Sequence, residues 1–181
     1  EFHGETIRAM STSGRLVICN MSVEAGATAG IVPADEETIR YLRAEAGVKD
    51  LIEPVLPDPD AAYTQIVDID VTALEPQIAC PHTVDNVKPI GAVAGRPVHQ
   101  IVIGSCTNGR LDDLQIAAAL VKGKKVASGT RMLVFPASGK IYQQALELGL
   151  VADFMKAGAV VMNPGCGPCL GVHEGAQGDG E

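Results

Sequence analysis

From residue 98 onward the chain alternates short apolar runs with helical patterns, and this alternation restricts the fold more than any other feature. "VHQIVI" predicts a strand and "GSCTNG" a turn. "RLDDLQIAAALVKG" predicts an amphipathic helix with Asp112 and Asp113 in its first turn and Lys122 with Gly123 at its end. The unit then recurs: "TRMLVF" reads as a strand, "PASGK" as a turn, "IYQQALELG" and "VADFMKAG" as helices, and "AVVMN" as a strand running directly into "NPGCGPCLG". Strands joined through helices lie parallel in one sheet, because the crossover carries the chain back to the same end. The fold class predicted is α/β, a mostly parallel sheet with helices on both faces in three layers.

The first half is less regular. "GRLVICN" suits a strand or buried turn, and "MSVEAGATAGI" a helix starting near Asn20. "ADEETIRYLRAEAG" is a clearer helix, with acids in its first turn, Arg40 and Arg43 later, and Gly47 as its stop. "TQIVDIDVTALEPQIACPHTVDN" alternates like an exposed strand and drifts into irregular, proline-punctuated backbone. The expected organisation is an α/β subdomain over 1–75, an irregular linker over 76–97 and a second α/β subdomain over 98–181. The chain opens without an initiator methionine and stops at "GAQGDGE", and it reads as a piece of a longer protein.

The two cysteines of "NPGCGPCLG", Cys166 and Cys169, pose a choice between a redox pair and a metal clip. In open parallel sheets, ligands gather where loops leave the carboxyl ends of the strands. Cys106 follows one predicted strand and the Cys166/Cys169 pair another, so all three can face one crevice. Cys106 lies before a helix N-terminus, where backbone N–H groups favour a negative sulfur. Gly165, Gly167 and Gly171 permit close backbone approach, while Pro164 and Pro168 stiffen the path and argue against a helix between the two sulfurs. Three thiolates are one short of a closed tetrahedral site. A [4Fe–4S] cube held by three protein sulfurs would keep one iron open as a Lewis acid.

Composition excludes several other classes. With 22 acidic against 14 basic residues and a net charge of −8, the chain lacks the basic surface that nucleic acid or anionic lipid requires. No signal peptide and no apolar run of membrane-spanning length is visible, and the protein reads as soluble and cytoplasmic. Five cysteines, an odd number, weaken a disulfide framework. Cys19 and Cys80 read as small packed side chains. His3, His82, His99 and His173 lack ligand spacing. "SGK" at residues 138 to 140 is no phosphate loop, because Val134 stands where the first glycine belongs and Ile141 follows the lysine.

"RLVICNMSVEAGA", "IGSCTNGRLDDL" and "NPGCGPCLG", in this order across nearly the whole chain, closely resemble the aconitase superfamily. The likeness is strongest to the large subunits of 3-isopropylmalate dehydratases and of archaeal-type homoaconitases. The resemblance implies an aconitase-like iron–sulfur domain in which Cys106, Cys166 and Cys169 hold a [4Fe–4S] cluster whose fourth iron meets the substrate's hydroxyl and a carboxylate. It implies that Asn20 and Glu24 support the cluster and the leaving water. Four positions apart, they share a face if the helix begins by residue 20. Without the resemblance they would read as an N-cap and a solvated acid.

Departures from the family matter equally. Its large subunit is more than twice this length, begins with a segment carrying a histidine–aspartate pair, and continues past "GDGE" into an Asn-Arg-Asn-Phe motif that binds substrate carboxylates. A separate small subunit supplies the serine base. The expectation is therefore the cluster-bearing portion of a hydro-lyase, inactive alone, that works with a small subunit on a 2-hydroxy acid. The first substrate is 2-isopropylmalate, converted to 3-isopropylmalate in leucine biosynthesis, followed by homocitrate and then citrate. The rival from another class is a non-catalytic zinc-binding or regulatory interaction module, with RNA binding disfavoured by the charge.

Overall fold

The computed structural model describes residues 1–171 and 173–180. The chain divides into two compact units, Glu1–Arg96 and Pro97–Glu181.

In the first unit, helices α1 (Glu5–Ala9), α2 (Thr12–Glu24) and α3 (Glu36–Ala44) precede a short antiparallel pair, β1 (Gln77–Ala79) and β2 (Val87–Pro89). The stretch "GRLVICN", expected as a strand or buried turn, lies inside α2. Its β-branched residues are overruled by two specific anchors. Ser11 caps the helix by accepting from the Gly14 N–H at 3.3 Å. Arg15, only 4 % exposed, reaches across to Asp35 at the head of α3. The N-cap is thus Ser11, not Asn20, and the helix begins eight residues earlier than expected. Asp35 accepts from the N–H groups of Glu37 and Thr38, which explains where α3 starts.

No strand forms over residues 64–76, where alternation suggested one. A strand needs a partner ladder, and here Asp70 accepts from the N–H and hydroxyl of Thr72 at 2.9 and 2.7 Å, turning the backbone instead. The supposedly irregular stretch that follows contains the β1–β2 pair.

In the second unit, β3 (Gln100–Gly104), β4 (Arg131–Phe135) and β5 (Val160–Val161) form a parallel sheet in the order β3-β4-β5. One-turn helix α4 (Ser105–Asn108) and helix α5 (Leu111–Val121) follow β3. Helices α6 (Gly139–Glu147) and α7 (Leu150–Ala157) connect β4 to β5, and one-turn helix α8 (Gly167–Leu170) follows β5. The strand–helix alternation is thereby realised as an α/β fold. Register pairs Ile101 with Met132 and Ile103 with Val134, and Val134 with Val161, so these five share one face. Leu114, Ala118, Ala145, Val151 and Phe154 from α5, α6 and α7 pack on that face into one core. Burying side chains of this size contributes about 1.5–3 kcal/mol each for the larger ones, which makes this layer the chief stabilising element of the unit.

The opposite face presents Val102, Leu133 and Val160. Leu133 is buried there with Gly175 against its Cδ1, and a β-carbon at residue 175 would fall 2.8 Å from that atom. Gln100 Nε2 donates to the Gly175 carbonyl at 2.6 Å, fastening the segment after α8 to β3.

Candidate functional site

Two tight loops at the carboxyl ends of the parallel strands carry the cysteines predicted as ligands. After β3, Gly104 adopts φ 112°, and a β-carbon there would overlap the Phe135 carbonyl oxygen. Gly109 is equally crowded by the same oxygen and by the Ser105 carbonyl. The turn from 104 to 109 is therefore pressed against the last residue of β4, and Ala137 N–H closes it by donating to the Gly109 carbonyl at 2.8 Å. Cys106 sits in this turn, exposed, with Sγ 3.7 Å from Thr107 Oγ1. The expected "GSCTNG" turn is itself one turn of helix.

Cys166 and Cys169 belong to a second helical turn, contrary to the expectation that Gly and Pro exclude one. Pro168 enters near the start of α8, where its missing N–H is no loss, and Cys169 N–H donates to the Cys166 carbonyl at 2.9 Å. Gly171 ends the turn at φ 63°. His173, which lacks ligand spacing in the sequence, lies over this turn: a β-carbon at Gly167 would fall 2.9 Å from its Nδ1. Its imidazole is 3.7 Å from Glu174.

The two loops touch. Cys169 Sγ donates to Ser105 Oγ at 3.2 Å across 64 positions of sequence. Ser105 immediately precedes Cys106, is 6 % exposed, and has φ 65°, a conformation few residues other than glycine adopt. Sequence reasoning passed over it; only the fold marks it out.

All five cysteines are free thiols. No disulfide joins Cys166 to Cys169, and the donor set of three exposed sulfurs suits a thiophilic metal centre. Among the described residues, no group of three or more His, Cys, Asp or Glu side chains is drawn close enough to hold a metal ion. The contact through Ser105 brings Cys169 to the Cys106 turn, but the three sulfurs are not closed around a common point. Asn20 and Glu24 lie in the first unit, both exposed, four positions apart on α2, with Glu24 its last residue. Cys19 and Cys80 are half-buried. No helix among the described residues is long and apolar enough to cross a membrane.

Parallel strands ending in cysteine-bearing turns define an α/β chain. The particular family follows from comparison: residues 1–98 and 91–181 match the Aconitase family (aconitate hydratase), and the chain belongs to it. The chain is 51% identical over 181 residues to a probable 3-isopropylmalate dehydratase large subunit of Methanothermobacter thermautotrophicus. It is 51% identical to a 3-isopropylmalate dehydratase large subunit of Elusimicrobium minutum, and 49% to a probable methanogen homoaconitase large subunit of Methanosarcina mazei. All of this chain is covered in each case, and 43%, 43% and 45% of the relatives. The chain thus spans less than half the length of these relatives.

Proposed function

We propose that this chain is the cluster-bearing portion of the large subunit of a hydro-lyase that isomerises 2-isopropylmalate to 3-isopropylmalate by dehydration and rehydration, in the cytoplasm and together with a small subunit. The observation that carries the reading is the meeting of the Cys106 turn with Cys169 through Ser105, in a chain half identical to proteins named for this reaction. Cys106, Cys166 and Cys169 would hold a [4Fe–4S] cluster, which when bound supplies a Lewis acid at its unliganded corner.

This chain's own residues would do the remainder of its share. The glycines let the backbone of both turns approach closely and Pro164 and Pro168 stiffen the second, so that ligation there costs less ordering. Glu24, exposed at the end of α2, has both oxygens available to accept and return a proton as water leaves and re-adds. Asn20, on the same helix face, offers one amide to orient the departing hydroxyl and is unable to titrate. The proton on the neighbouring carbon would be taken by the small subunit.

Conversion of homocitrate is a second reading, supported by the 49% identity to a protein named as a methanogen homoaconitase large subunit. The test is to purify the complete large subunit with its small subunit, rebuild the centre anaerobically with iron and sulfide, and assay 2-isopropylmalate, homocitrate and citrate side by side. Turnover of 2-isopropylmalate in preference to the others is expected. Turnover of homocitrate alone would transfer the assignment to the second reading, and indifference to all three would end both.

A further inference from the structure

Ser105 occupies a backbone position that glycine would fill at less cost. At φ 65° a side chain crowds its own carbonyl, and such residues persist only where the surroundings impose them. Its backbone is already committed: Gly104 and Gly109 are wedged against Phe135, and the Ser105 carbonyl accepts from Gly109 N–H at 2.9 Å. What serine adds over glycine is one hydroxyl. That hydroxyl is buried, and its partner is Cys169 Sγ at 3.2 Å.

We propose that Ser105 is a positioning residue for the cysteine set, fixing Cys169 of the second loop against the turn that presents Cys106. The inference rests on the reading of these cysteines as ligands of a shared iron–sulfur centre and deepens it. In the metal-free protein the thiol of Cys169 donates to the Ser105 oxygen. A sulfur that has given up its proton can only accept, so the same pair then holds with the serine O–H as donor. One hydroxyl can therefore keep Cys169 in place both before and after a metal is bound, and a hydrogen bond to a ligating sulfur also tempers how much charge it gives to iron. Nothing in the spacing of "GSC" against "CGPC" reveals this, because 64 positions separate the partners.

The test uses the complete large subunit with its small subunit, rebuilt with iron and sulfide, in wild-type form and as Ser105→Gly and Ser105→Ala. Ser105→Gly removes the hydroxyl while easing the backbone, so it should fold at least as well as wild type. Ser105→Ala removes the hydroxyl and keeps the strain. Both are expected to shift the iron–sulfur stretching bands in resonance Raman spectra and to lose visible absorbance to a chelator about 10-fold faster than wild type, the lower end for removing a partner of a metal ligand. If Ser105→Gly matches wild type in spectrum and decay, whatever Ser105→Ala does, the hydroxyl positions nothing and the proposal is overturned. A wild type that takes up no iron–sulfur chromophore would instead overturn the functional reading, and this inference with it.

Discussion

Arg15 grips Asp35 with both ends of its guanidinium, Nη1 to Oδ1 at 2.6 Å and Nη2 to Oδ2 at 2.8 Å, and thereby joins the first turn of α2 to the head of α3. Two further donors are used as well, Nη2 on the Arg8 carbonyl and Nε on the Met10 carbonyl. A buried guanidinium is tolerated only when its donors are satisfied in this way. Removing the carboxylate would leave a charge without its counterpart. Asp35→Asn is expected to lower the stability of the first unit by about 2–3 kcal/mol, below the range for a fully buried pair because Asp35 is partly solvated. Arg15→Lys should rescue little of an Arg15→Ala loss, since an ammonium cannot make the two-pronged contact. Chemical denaturation read by circular dichroism checks both.

Acid should loosen the same junction. Asp35 is held down to about 2, first by its hydrogen bonds with Arg15 and then by the N–H of Thr38. Glu37 also lies at about 2, held first by Arg40 and further by the N–H and hydroxyl of Thr12, at the start of α2. Both carboxylates are more acidic folded than unfolded, so each adds stability above the usual carboxylate range and loses it as pH falls from about 4 through about 2. Melting temperatures across this window should fall steeply in wild type and less so in a Glu37→Gln variant, which has already lost one of the two groups.

The turn around Cys106 should tolerate no side chain at its glycines. A β-carbon at Gly104 or Gly109 collides with the Phe135 carbonyl, which is backbone and cannot swing aside. Gly104→Ala adds a strained φ of 112° to that collision. A loss of about 3 kcal/mol or more is expected for either alanine variant, against about 1–2 kcal/mol for Gly123→Ala, where space is open and only φ is unfavourable. Thermal denaturation of the three variants gives the ranking.

Cysteine substitutions should divide into two groups. Cys106→Ser, Cys166→Ser and Cys169→Ser are each expected to abolish stable cluster loading. Cys19→Ser and Cys80→Ser should load normally, with at most a stability cost of about 1 kcal/mol for placing a hydroxyl in half-buried surroundings. Iron and acid-labile sulfide content of the five reconstituted proteins measures this, and a requirement for Cys19 or Cys80 would redraw the ligand set.

The second unit was legible because its signals are local: apolar runs of strand length, acids at the start of α5, and Lys122 with Gly123 at its end. The α2 helix was not, since what overrules the strand-like "LVIC" is Arg15 meeting Asp35 twenty positions away. Alternation over 64–76 misled because it reports a pattern of side chains and not the presence of a neighbouring strand. In the candidate site, spacing and strand ends pointed to the three cysteines. Ser105 and the placement of His173 over Gly167 depend on how the two turns pack, which no short motif encodes.

Mössbauer spectroscopy of the complete large subunit, rebuilt anaerobically with iron and sulfide, tests the central claim most directly. A brown protein absorbing near about 400 nm, with one iron environment distinct from the other three and altered by adding 2-isopropylmalate, is the predicted result. A colourless protein that instead takes up one tightly held zinc, or a chromophore unchanged by Cys106→Ser, would contradict it.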